Sequence, residues 1–301
     1  MGDDGSEIEG LQREVLMRLS LLYNPTAGEG LRLEEICQLL KRHGHSLVQI
    51  LEQHDTRDEP IGGEALVAAG GDGTVAAAAR RVASGQTPLA ILPRGTANNV
   101  AKSLGIDGPL DQIVDRWRQK EPRGVDLGFA GGPWGVRRFV ESVGAGLIAR
   151  GIAGADAEKA RTPDAGKRTV LEGAHGYLET LDELRPVRTV IEADGETIEG
   201  EFLLVEVLNM PLVGSNLHLT SDADPCDGLL SIVTIDAGQH DALHEYLAHR
   251  ADDRDLPAPF VARKAAHVDL TGWREVHVDD ASQDLDRPGR VSIEIDPGAL
   301  Q

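Results

Sequence analysis

Apolar positions along the chain fall into short runs closed by turn residues, and their texture changes near residue 131. Before it, Leu16–Tyr23, Ser46–Leu51, Ala65–Ala69, Pro88–Leu92 and Val125–Phe129 read as buried strands. Between them, helical spacing predicts helices over Leu31–Arg42, Thr74–Ser84, Asn98–Leu104 and Leu110–Lys120. Repeated strand–loop–helix units predict a parallel sheet with helices on both faces. After residue 131 the runs Val136–Val143, Val187–Ala193, Glu199–Leu208, Leu229–Ile235, Ala266–Leu270, Glu275–Val278 and Val291–Ile295 read as strands. Helices interrupt them at Lys167–Leu184 and Asp241–Arg250, and the glycine-rich Ser142–Gly146 reads as a turn. The expected fold class is α/β plus β. A disordered tail at 1–14 precedes a doubly wound α/β domain at 15–130, then a mostly antiparallel β-sandwich domain at 131–301.

Composition narrows this picture. At 301 residues the chain has room for roughly two domains. Aromatic residues make up only 3%, so Leu, Val, Ile and Ala must fill the core. The formal net charge of −20 argues against a nucleic-acid binder, which needs a basic footprint. It also argues against tight, purely electrostatic docking on anionic lipid. The two cysteines, Cys37 and Cys226, lie far apart and suggest reduced thiols. No apolar run approaches the ~18 residues of a membrane span, and Met1–Gly10 lacks a signal-peptide core. A cytoplasmic protein is expected, with room for transient contact with a membrane surface and for a homodimer.

The chemistry concentrates where strands end. Leu66–Ala69 runs into Gly70-Gly71-Asp72-Gly73-Thr74, and a helix-forming run opens there. Glycines before a helix N-terminus leave backbone N–H groups open to phosphate. Asp72 is the odd member; an acid beside phosphate is useful if it holds Mg²⁺ or steers a nucleophile. Two further polar loops, 24–30 and 93–99, also follow strands. In parallel sheets ligands bind beyond the carboxyl ends of the strands, so the three loops should converge on one crevice. The histidines form no metal constellation beyond the i,i+4 pair His240 and His244, which lacks a third ligand. No Gly-x-Ser-x-Gly elbow supports an esterase.

Four motifs, Asn24-Pro25-x-x-Gly28, Gly70-Gly71-Asp72-Gly73-Thr74, Pro93-x-Gly95-Thr96-x-Asn98 and Asp224-x-x-Asp227-Gly228-x-Leu230, together resemble the diacylglycerol kinase catalytic family, which includes bacterial lipid kinases and sphingosine kinases. They span nearly the whole chain. Gly-Gly-Asp-Gly-Thr alone also occurs in NAD kinases, which phosphorylate a soluble acceptor; the Pro-x-Gly-Thr-x-Asn element favours the lipid branch. The resemblance implies a nucleotide-binding first domain and phosphoryl transfer from ATP to a lipid hydroxyl with Mg²⁺. It implies nucleotide contacts at Asn24, Gly28, Gly71, Gly73, Thr74, Gly95, Thr96 and Asn98, with Asp72 near Mg²⁺ or the acceptor hydroxyl. It implies a second-domain magnesium site at Asp224, Asp227 and the Leu229 carbonyl.

The chain also departs from the family pattern. An Asp-Gly-Glu turn supplies the family's likely base late in the second domain; here it reads Asp279-Asp280-Ala281, and alanine cannot take a proton. After Asn98 the family usually has Asp, where this chain has Asn99. After Thr74 it usually has Asn-Glu, where this chain has Ala76-Ala77, and Glu29 replaces a common basic residue. The base would then be Asp72, Asp280 or Asp284. The competing expectation is a nucleotide-binding homologue with little or no turnover.

Overall fold

The computed structural model describes residues 16–25, 32–53, 60–83, 86–117, 121–162, 169–254, 256 and 259–301. Gly28, Glu29 and the expected tail at 1–14 lie outside the described residues.

The chain begins with β1 (Arg18–Tyr23), α1 (Leu33–Arg42), β2 (Ser46–Glu52), β3 (Ala65–Gly70), α2 (Asp72–Val82), β4 (Leu89–Pro93), α3 (Asn99–Ser103) and α4 (Leu110–Arg116). The strands pair in the order β2-β1-β3-β4, every pair parallel. β3 is buried at all its residues, as a strand covered on both faces must be. Alternate side chains serve alternate layers. Ala65, Val67 and Ala69 pack with Ile36, Leu39 and Leu40 of α1, while Leu66 and Ala68 pack with Val75, Ala79 and Val82 of α2.

The second half holds β5 (Val125–Gly132), β6 (Gly135–Phe139), β7 (Ser142–Gly146), α5 (Leu147–Arg161), α6 (Val170–Glu183), β8 (Val187–Ala193), β9 (Glu196–Leu208), β10 (Leu230–Asp236), α7 (His240–Ala251), β11 (Arg263–Ala265), β12 (His267–Thr271), β13 (Glu275–Val278), β14 (Ala281–Asp284) and β15 (Arg290–Leu300). β9 joins its two layers. Its first half pairs with β8, and its second half lies between β7 and β10. Val205, Val207, Val268, Val276 and Ile293 fill the space between the layers.

Several elements differ from the sequence expectation. The expected strand Val136–Val143 is two strands, β6 and β7, broken at Val140–Glu141. The expected turn at Ser142–Gly146 is β7, buried throughout between β9 and β13. Its glycine and alanine leave room for neighbours, which composition alone reads as a loop. α5 was hidden by Gly151 and Gly154, both poor helix formers. β5, expected with the first domain, hydrogen-bonds to β15 and β6 in the second sheet. Yet Val125, Leu127 and Leu300 pack onto the α2 face of the first sheet. Each such side chain contributes roughly 1.5–3 kcal/mol on burial. The two halves therefore share one apolar layer, and the Leu89 N–H donates to Gln301 O at 2.7 Å to close it.

Candidate active site

β1, β3 and β4 are adjacent and parallel, so their carboxyl ends lie along one edge. The Asn24 N–H donates to Ala69 O, and the Arg94 N–H donates to Gly70 O at 2.7 Å. The two glycine loops touch through backbone. A Cβ placed on Gly95 would stand 2.4 Å from Gly71 Cα, and one on Gly71 would stand 2.9 Å from Gly95 Cα. Only glycine at both positions permits that approach. Asn98 then closes its own loop: the Gly95 N–H donates to Asn98 Oδ1 at 2.7 Å, and Asn98 Nδ2 donates to Gly95 O at 2.8 Å. Asn98 adopts φ +52, a conformation asparagine tolerates better than most residues.

Asp72 opens α2, two residues earlier than the expected helix start. Its Oδ1 accepts the Val100 N–H at 3.0 Å and so caps α3 from outside that helix. Burial raises its pKa; the N–H groups of Val100 and Asn99 oppose the rise, and the nearby Asp280 adds to it. A raised carboxylate pKa makes a better proton acceptor near neutral pH.

The second half delivers a turn to this edge. Asp279, at φ +52, accepts N–H bonds from Val140 at 3.0 Å and Glu141 at 2.8 Å on its Oδ1. Burial pushes its pKa up to about 6, against those two bonds. Arg80 Nη1 stands 4.0 Å away. Asp280 then projects onto α2, where a Cβ on Gly73 would lie 2.7 Å from Asp280 Oδ2. Beneath the turn, His277 Nδ1 lies 2.8 Å from Asp279 O, and its Nε2 lies 3.0 Å from Glu206 Oε1. Both side chains are fully buried. Burial lowers the His277 pKa, but Glu206 outweighs it and the net direction is up.

The structure thus brings Asn24, Gly71, Asp72, Gly73, Gly95, Thr96, Asn98 and Asp280 to one edge. Thr74 is placed differently from a phosphate ligand. It is buried, and its Oγ1 donates to Gln53 Oε1 at 2.7 Å. Thr96 is exposed and borders a cleft of about 700 Å³ between α5 and α6 that Gly151, Tyr177 and Gly214 also line. Asp224, Asp227 and Leu229 lie in another turn. Asp224 Oδ1 accepts the Cys226 N–H, Asp227 Oδ1 accepts the Leu229 N–H, and Lys264 Nζ sits 2.6 Å from Asp227 Oδ2. The lysine ammonium stands where a cation would, so these residues do not fit Mg²⁺ as arranged. Among the described residues no group of three or more His, Cys, Asp or Glu is placed to hold a metal.

Sequence reading missed Glu141, Gln53 and the Glu206–His277 pair. Glu141 is buried, and its Oε2 accepts the Asn99 Nδ2–H at 2.9 Å. Burial, then Asp72 and Asp279, push its pKa well up. A signal existed: one acid inside the apolar run Phe139–Val143.

Comparison with known proteins agrees with this architecture. Residues 18–130 match the diacylglycerol kinase catalytic domain, and 148–301 match the YegS C-terminal NAD kinase beta sandwich-like domain. The chain is 28% identical over 318 residues to a diacylglycerol kinase of Mycobacterium tuberculosis (strain ATCC 25618 / H37Rv), covering 97% of this chain and 96% of that protein. It is 27% identical over 250 residues to a diacylglycerol kinase of Bacillus subtilis (strain 168), covering 73% and 74%. A crystal structure of a diacylglycerol kinase from Bacillus anthracis str. Sterne superposes with a TM-score of 0.70 at 22% identity, over 95% of this chain and 97% of that one. Two adjoining domain matches, in the order that the two sheets take along the sequence, make this chain a member of the diacylglycerol kinase family of lipid kinases.

Proposed function

We propose that this chain transfers the terminal phosphoryl group of ATP to a lipid hydroxyl, at the edge that carries Asp72 and Asp280. The observation that carries the reading is the meeting of the two glycine loops, beside Asn24 at the end of β1, with a carboxylate turn from the second half. The loop glycines leave backbone N–H groups for phosphate oxygens. Phosphoryl transfer asks the protein chiefly for alignment and charge neutralisation. Asp72 and Asp280 would hold a Mg²⁺ at this edge, since hard carboxylate oxygens suit that ion. Bound there, the ion would neutralise charge on the phosphates.

Ala281 begins β14 and offers no proton acceptor. Asp280, one residue earlier, reaches α2 in its place and is the acceptor that this turn offers. The cleft beside Thr96 is the acceptor's approach, because it opens on the phosphate-binding edge. A second hollow, about 510 Å³ and apolar, is lined by Met17, Leu19, Leu89 and Trp117 toward the opposite ends of the same strands. A hydroxyl held at that end would not reach the loops.

The test is transfer of label from ATP, with Mg²⁺, to a panel of lipids including diacylglycerol. Lipid-dependent transfer that falls about 10²-fold or more in Asp72→Asn supports the reading. ATP binding without transfer to any lipid would select the second reading, a nucleotide-binding homologue, which Ala281 favours. Transfer unchanged in Asp72→Asn would overturn the mechanism.

A further inference from the structure

The contact between Asn99 and Glu141 bridges the two halves directly beneath Asp72. Asn99 is the second residue after Thr96-Ala97 and the first of α3. Its Nδ2 donates both to Glu141 Oε2 at 2.9 Å and to Gly214 O at 2.9 Å. Asn99 is 2% exposed and Glu141 is 6% exposed. The next residue, Val100, gives its N–H to Asp72. Glu141 gives its own N–H to Asp279, the residue before Asp280. One amide–carboxyl contact therefore fixes the first turn of α3, which holds Asp72, to the strand break that holds the Asp279–Asp280 turn.

Asn99 supplies both donors that this contact uses. An aspartate there would put a second carboxyl against Glu141 in a buried site, and two buried acids in contact cannot both ionise. It would also replace the N–H donor that Gly214 O now accepts. We propose that Glu141 is a positioning residue, whose contact with Asn99 locks the α3 turn that holds Asp72 to the strand break that holds the Asp279–Asp280 turn. It acts through its neighbours, by fixing the segments that carry Asp72 and Asp280 relative to each other.

This inference rests on the lipid-kinase reading for its catalytic readout, but not for its structural one. The experiment compares Asn99→Asp, Glu141→Gln and the exchange variant carrying both. Each is measured by urea unfolding and by steady-state phosphoryl transfer. Asn99→Asp should lower the unfolding midpoint and reduce kcat about tenfold or more, with the KM for ATP changed less than about twofold. The exchange variant should be more stable and faster than Asn99→Asp, although it carries one more substitution. An exchange variant no better than Asn99→Asp in unfolding would overturn the inference. Absence of transfer in the unsubstituted protein would remove the kinase reading and leave the unfolding comparison to decide this one.

Discussion

Asp280 of the second sheet lies against Gly73 of the first helix after the glycine loop, so close that a Cβ on Gly73 would come within 2.7 Å of Asp280 Oδ2. The two residues are separated by most of the chain, and their contact closes the phosphate-binding edge. Gly73→Ala tests it. Alanine inside a helix favours the helical state by about 1 kcal/mol over glycine. Stability should therefore hold or rise, while Asp280 must swing aside. Misplacing one catalytic group by an ångström can cost about 10²-fold. We expect kcat for phosphoryl transfer to fall about tenfold or more, with the urea midpoint unchanged or higher. Unchanged turnover would mean that Asp280 takes no part.

Gly95→Ala should behave in the opposite way. Its Cβ would meet the backbone of Gly71 at 2.4 Å, and backbone cannot step aside as a carboxylate can. Forced overpacking of this kind typically costs about 1–3 kcal/mol. Chemical unfolding should register that loss, and ATP affinity measured by calorimetry should drop with it as the loops part.

Stability should fall between about pH 4 and pH 6 because of Asp279. Its carboxyl titrates near 6 in the folded chain, against 3.8 when unperturbed. Within that window the folded form keeps a proton that the unfolded chain has released, so rising pH favours unfolding. The effect is on the order of 2–3 kcal/mol. Glu141 and Asp72, also raised, act in the same direction. Asp279→Asn removes one share of this. Unfolding free energies from pH 4 to 7 should show the variant gaining on the unsubstituted protein as pH rises; parallel curves would refute the assignment.

The Glu206–His277 pair supplies a contrast between two glycines. A Cβ on Gly144 would lie 2.0 Å from Glu206 Oε2, whereas one on Gly154 would meet nothing within 4 Å. Gly144→Ala should split the buried pair and cost about 3–5 kcal/mol. Gly154→Ala, inside α5, should be neutral or stabilising by up to about 1 kcal/mol. Thermal denaturation of the two variants side by side checks both.

Much of the fold was legible because local pattern and tertiary role coincide. β3 is small and apolar throughout, and it is buried throughout. The glycine run after it marks a close backbone approach, which Gly71 and Gly95 make. Legibility failed where one residue type serves two ends. Glycine in β7 and α5 makes room for Glu206 and Tyr177, not for a turn. Thr74 suggested a phosphate ligand, but its hydroxyl is turned to Gln53. Nothing in the order of residues pairs position 74 with position 53.

By itself, the amino-acid order determined the two-part architecture, the edge of the first sheet that carries the loops, and the place of Asp72 among glycines. Periodicity and glycine placement are local properties, and neighbours along the chain suffice to express them. Tertiary structure alone decided which acids meet. Asp72, Glu141 and the Asp279–Asp280 turn come from distant segments, and a carboxylate's chemistry depends on burial and on the charges within a few ångströms of it. Those distances are set only when the two sheets close on their common apolar layer.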